Sequence, residues 1–156
     1  MEDVKRILVV SRDTKYCRKA VHYGVSLSRK YGAELFVIHV VHDPFLFWGG
    51  WNLPIPSLHE EYKKVLKESR EELHEIIVSE KKKGMSIKEL IKEGDPTGEV
   101  LKAVKEEGID LLIMLAHEEG HLEHFLFGRS NEEITRKMPC SVLLVKKEPE
   151  ASKKGR

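Results

Sequence analysis

Short apolar runs alternate along the chain with longer segments of helical period. Five runs stand out: Arg6 to Val10 (RILVV), Glu34 to Val41 (ELFVIHVV), Ser86 to Lys92 (SIKELIK), Asp110 to Leu115 (DLLIML) and Ser141 to Val145 (SVLLV). Most are continuously apolar, which suits strands buried on both faces of a parallel sheet. Between the first two, Cys17, Ala20, Val21, Gly24 and Leu27 recur at helical spacing, and Tyr31-Gly32 closes the segment with glycine where a left-handed cap is needed. A longer stripe of Leu58, Tyr62, Val65, Leu66, Ser69, Leu73, Ile76 and Ile77 predicts a second helix facing the core, closed by Gly84. Pro96 followed by Val100, Leu101 and Val104, with Gly108 beyond the end, predicts a third helix. A fourth, short helix starts at Ser130, which has capping-box spacing to Glu133, and stops before Pro139.

The order β-α-β-α-β-α-β-α-β predicts one doubly wound α/β domain, a five-stranded parallel sheet with right-handed crossovers and helices on both faces. The domain is expected to span residues 1–147. The tail 148–156 is expected to be disordered, because Lys146 to Arg156 offers nothing apolar beyond Ala151. In an open sheet of this kind ligands bind outside the carboxyl ends of the strands. The residues to inspect therefore follow strand one (Ser11, Arg12, Asp13), strand two (His42, Asp43) and strand four (Ala116 to Gly128).

Charge narrows the functional classes. The 156 residues carry 27 Lys+Arg against 26 Asp+Glu, a formal net charge of +1, so the basic excess of a nucleic-acid-binding domain is missing. No apolar run reaches the roughly 20 residues of a membrane helix. Met1 to Arg6 is charged and leads straight into a strand-like run, so no export signal is read and a cytoplasmic location is expected. The two cysteines, Cys17 and Cys140, show no metal-finger spacing and are expected to be reduced. The absence of Gln, the presence of only two Asn (Asn52 and Asn131) and the many Lys and Glu match the bias of proteins working at high temperature.

Three stretches together resemble the universal stress protein family: RILVV followed by a loop, a helix and YGAELFVIHVV; IKEGDPTGEVLKAVKEEGIDLLIM; and FGRSNEEITRKMPCSVLLVK. They lie in the family's order and spacing over nearly the whole chain. The resemblance implies a sheet of order 3-2-1-4-5, a cytoplasmic stress-response role and a homodimer. Some members bind ATP through a loop of pattern G-x2-G-x9-G-[ST] that runs from strand four into the last helix, where glycines admit phosphates to the backbone and the helix start offers N–H groups. Laid on this chain, the first glycine falls on Leu115 and the second on Glu118, the third survives as Gly128, and the hydroxyl falls on Arg129 with Ser130 one residue late. The family's acidic residue after strand one falls on Arg12, with Asp13 displaced by one. The family-site positions implied here are Val10, Ser11, Arg12, Asp13, Val40, Leu115, Ala116, His117, Glu118, Gly128, Arg129 and Ser130. Glu118, Glu119 and Glu123 would also stand where a triphosphate would lie, and like charges at contact repel by about 1 kcal/mol even in water. The expectation is a binding and signalling protein with a degenerate loop, no tight ATP binding and no resident cofactor. An ATP-binding member with slow hydrolysis, through Asp13, Gly128, Arg129 and Ser130, is the alternative.

Three further features complete the reading. His117, His121 and His124 sit among carboxylates at the spacing H-x3-H-x2-H, with His42 as a fourth candidate, so a metal-dependent or nucleotide-processing enzyme is a second alternative. A solvated, metal-free loop is the expectation adopted. Asp43 to Pro56 (DPFLFWGGWNLPIP) is too apolar for an open loop and is expected to be buried, either within the molecule or against a protein partner through Phe45 to Trp51. No catalytic apparatus stands out: there is no G-x-S-x-G turn and no Walker A loop. The final strand, Ser141 to Val145, is expected at a sheet edge and apolar on both faces, so pairing with its own copy across a two-fold axis is the expected dimer contact.

Overall fold

The computed structural model describes residues 3–11, 17–41, 56–116 and 130–146. Nine elements follow in order: β1 (Arg6–Ser11), α1 (Cys17–Tyr31), β2 (Glu34–Val41), α2 (Pro56–Lys82), β3 (Ile87–Glu93), α3 (Pro96–Glu107), β4 (Leu111–Leu115), α4 (Ser130–Lys137) and β5 (Ser141–Val145). The strands form one sheet in the order β3-β2-β1-β4-β5, parallel at every pairing. This is the doubly wound arrangement expected from the chain, with β1 central and β3 and β5 at the edges.

Because successive strand residues point to opposite faces, each strand feeds two cores. Ile7, Val9, Leu35, Val37, Ile87 and Ile113 pack under α1 and α2 through Cys17, Ala20, Val21, Val25, Leu73 and Ile77. Leu8, Val10, Phe36, Ile38, Leu112 and Met114 pack under α3 and α4 through Val100, Ala103, Val104 and Ile134. The continuous apolar runs are thus explained: a strand covered on both sides has no solvent face on which to place polar residues.

The helix boundaries follow their local chemistry. Asp95 caps α3 by accepting a 2.8 Å bond from the Gly98 amide, Pro96 opens the first turn, and Gly108 at φ 61° ends it with its amide donating to the Val104 carbonyl. The left-handed backbone at Gly108 then lets the next amide, that of Ile109, reach the same Val104 carbonyl at 3.0 Å, and glycine adopts it without a Cβ penalty. The buried stripe of α1 takes in Val25 and Ser28, while Leu27 is half-covered. In α2, Leu73 and Ile77 are buried and Ile76 half-buried; the side chains of Leu58, Tyr62, Val65, Leu66 and Ser69 lie outside what the structure describes.

Three strand limits need correction. β1 continues through Ser11, which stays in register with His39 on β2 although the apolar run stops at Val10. β3 runs from Ile87 to Glu93 instead of Ser86 to Lys92, and β4 begins at Leu111 instead of Asp110. Asp110 instead accepts two 2.9 Å bonds from the amides of Lys5 and Arg6, fastening the start of β1. β5 carries apolar residues on both faces, Leu143 and Val145 toward one core and Val142 toward the other, but its cover is uneven: Val145 is buried while Leu144 is exposed.

Candidate functional site

The carboxyl ends of β1, β2 and β4 and the start of α4 meet at one end of the sheet, the topological position where an open α/β sheet binds ligands. Val10 and Val40 are buried there on the α3/α4 face, clustered with Met114 and Ile38, so that side of the sheet end is apolar. Ser11 is fully buried and, by strand alternation, follows Val9 onto the opposite face, under α1 and α2. Leu115 and Ala116, at the end of β4, are half-buried. The amide of Ala116 donates to the Val145 carbonyl at 2.7 Å, which carries the β4–β5 pairing one residue past the strand.

Asn131 is the residue of this region that sequence reasoning did not place in the site. It lies in the first turn of α4, is only 9% exposed, and its Nδ2 donates to the Leu115 carbonyl at 2.7 Å. The bond ties the start of α4 to the end of β4 and fixes the distance between the two elements that bracket the family loop. The available signal was compositional: an Asn one residue into a helix, in a chain with only one other Asn.

Of the remaining expected site residues, Arg12, Asp13, His117, Glu118, Gly128 and Arg129 lie outside the described residues, as does the Ser130 side chain. So do His42, His121, His124, the segment 43–55 and the tail 148–156. Leu115 stands at the last position of β4, where the family loop begins, and brings a branched side chain where the loop pattern has glycine.

A second group of polar residues lies deeper, on the α1/α2 face. His39 on β2 is 2% exposed, with Nε2 at 3.6 Å from Oε1 of Glu89 on the neighbouring strand β3. His74, from α2, approaches the same oxygen with Nδ1 at 3.4 Å. The pairing Ser11↔His39↔Ile91 sets three strands side by side on this face, one row above Val9, Val37 and Glu89. In the sequence His39 is the one polar residue inside the run FVIHVV; a histidine inside a doubly buried strand must find partners, and that was the signal.

Of the two cysteines, Cys17 is buried, and Cys140 is half-buried with its Sγ donating to the Ser141 carbonyl at 3.4 Å. Burial pushes the Cys140 thiol up, the Leu112 backbone hydrogen bond opposes this, and the charge of Asp110 adds to it. Among the described residues no helix is long and apolar enough to cross a membrane.

With this geometry in place, comparison with known proteins is informative. The universal stress protein family model matches residues 3–146. A universal stress protein of Methanocaldococcus jannaschii, MJ0531, is 26% identical over 147 residues, covering 92% of this chain and 82% of that protein. A second from the same organism, MJ0577, is 24% identical over 154 residues, covering 92% and 95%. The solved structure of MJ0577 superposes with a TM-score of 0.68 over 96% of this chain and 100% of that one. An Arabidopsis thaliana universal stress protein family member, solved with AMP bound, shares the fold at 16% identity and a TM-score of 0.60, with 96% of each chain covered. The family match, the sheet order and these relatives agree over nearly the full length: the chain belongs to the universal stress protein family.

Proposed function

We propose that this chain acts in the cytoplasm as a stress-response binding and signalling protein that does not hold ATP tightly. The observation that carries the reading is the end of β4. There the family's first loop glycine is Leu115, whose carbonyl is already engaged by the buried Asn131 amide, and the second is Glu118. A phosphate approaches backbone amides closely only where no side chain intervenes, and carboxylates beside it add repulsion. Calorimetry with Mg-ATP should give a dissociation constant weaker than about 100 μM. Micromolar affinity would overturn the reading. The Glu118→Gly, Arg129→Ser double variant should bind ATP more tightly than the unmodified chain if the altered loop is the cause.

The relative solved with AMP bound supports a second reading, in which the apolar floor of Val10 and Val40 receives an adenine ring. AMP titrated in the same calorimeter separates the two. Tight AMP binding without tight ATP binding would locate the defect in the phosphate loop alone, and mass spectrometry of intact protein purified without added ligand would reveal a retained nucleotide.

We further propose a homodimer joined through β5. This strand forms one edge of the sheet and Leu144 is 47% exposed on it. An uncovered apolar edge invites pairing, and antiparallel pairing with a second copy closes the assembly.

A further inference from the structure

The sheet ends in two edge strands, β3 and β5, and among the described residues neither has a strand beyond it. Open edges recruit other strands, a second copy of the same chain included. β5 contains no charged residue, whereas β3 (Ile87–Glu93) reads Ile-Lys-Glu-Leu-Ile-Lys-Glu. Burial does not shield β3, since Ile91 is 65% exposed on it. Ile87 packs into the α1/α2 core and Leu90 into the α3/α4 core. By strand alternation Glu89, Ile91 and Glu93 share the face of Ile87, and Lys88 and Lys92 share that of Leu90.

Two copies joined edge to edge about a two-fold axis form one continuous antiparallel sheet, with each helix layer kept on its own side. Residues directly opposite must then share a face, so β3 can meet its copy only in registers centred on a single residue. Centred on Leu90, where all seven residues pair, Lys88 stands opposite Lys92 twice over. Centred on Glu89, that carboxylate meets its own copy; centred on Ile91, it meets Glu93. Centred on Lys88 or on Lys92, the lysine meets its own copy. Every register that pairs at least three residues thus sets like charges opposite each other, at a Cβ separation of about 5 Å where they oppose pairing. We propose that this charge pattern bars β3 from pairing with a second copy and so leaves edge-to-edge assembly to β5. A chain with two permissive edges would polymerise. The part assigned to β5 rests on the homodimer proposed above, and the exclusion at β3 does not.

The test reverses one charge. Lys92→Glu turns both lysine oppositions of the fully paired register into lysine–carboxylate pairs and leaves Lys88 on its 2.7 Å contact with Glu34. Sedimentation equilibrium of the full chain at about 1 mM detects association even at a millimolar dissociation constant. The unmodified chain should be no larger than a dimer. Lys92→Glu should at least double its mass: a monomer would become a dimer, and a β5-joined dimer, with a β3 edge at each end, would lengthen into polymers. Salt at about 1 M, which cuts the Debye length to about 3 Å, should reverse this growth, as it would not reverse aggregation of unfolded chain. Lys88→Glu, Lys92→Glu restores like charges and should return the mass of the unmodified chain, with circular dichroism unchanged in both variants. Lys88→Glu alone creates the same two pairs and serves in place of a Lys92→Glu chain that does not fold. Unchanged mass in Lys92→Glu overturns the proposal, as does growth that survives in the double variant. Assembly of the unmodified chain beyond a dimer overturns it equally. A monomeric unmodified chain that pairs only as Lys92→Glu upholds the exclusion at β3 and removes the β5 dimer.

Discussion

Gly24 lies in the middle of α1, where helix propensity alone favours alanine by about 0.5–1 kcal/mol. Gly24→Ala is nevertheless expected to destabilise the protein. A Cβ at this position would fall well inside van der Waals contact with Cγ2 of Val9 and would stand 3.1 Å from Cδ1 of Leu35. Both neighbours are fully buried. Val9 cannot turn aside cheaply, since its β-branched side chain is restricted about χ1, it is fully buried, and its strand is paired on both edges. Either α1 lifts from the sheet or Val9 leaves its rotamer, and overpacking of this kind costs about 1–3 kcal/mol. After the propensity gain, a net loss of about 1–2 kcal/mol remains, equivalent to a fall in Tm of about 2–8 °C for a chain of this size. Urea unfolding followed by circular dichroism measures the loss, provided the slopes agree between variants. Val9→Ala removes the obstructing methyls, so the Gly24→Ala, Val9→Ala pair should cost at least about 1 kcal/mol less than the sum of the single changes. Unchanged or raised stability in Gly24→Ala, or strict additivity of the pair, would refute the close approach of α1 to β1.

Three further outcomes are expected. Asn131→Ala removes the amide that satisfies the half-buried Leu115 carbonyl and should cost about 1 kcal/mol in the same assay; no loss would mean that the β4–α4 tie contributes nothing. Leu144→Lys places a charge on the exposed edge strand without disturbing the core and should give an 18.0 kDa monomer in light scattering, whereas a monomer already in the unmodified chain would remove the proposed interface. Burial raises the Cys140 thiol, so at neutral pH it carries less thiolate than a free cysteine, and alkylation should be slow and accelerate as pH rises. Cys17, fully covered, should react only on unfolding, and a rapid reaction of either thiol at neutral pH would contradict the packing.

The fold was legible because its strands are buried on both faces. Continuous apolar runs announced β1, β2, β4 and β5, and the proline and glycine around α3 announced its two ends. The limits of β1 and β3 were harder to read for opposite reasons. Ser11 is polar yet sits inside the sheet because its backbone pairs with His39, and nothing local in the sequence signals a pairing partner 28 residues away. β3 is an edge strand in which only Ile87 is buried and the rest are half-covered or exposed, so its hydrophobic pattern fades toward its end. Of the His39, Glu89 and His74 group only His39 carried a sequence signal, as a histidine inside an apolar run; its partners were not legible. His39 and Glu89 come together only through the β2–β3 register, and His74 joins them because α2 crosses over that face.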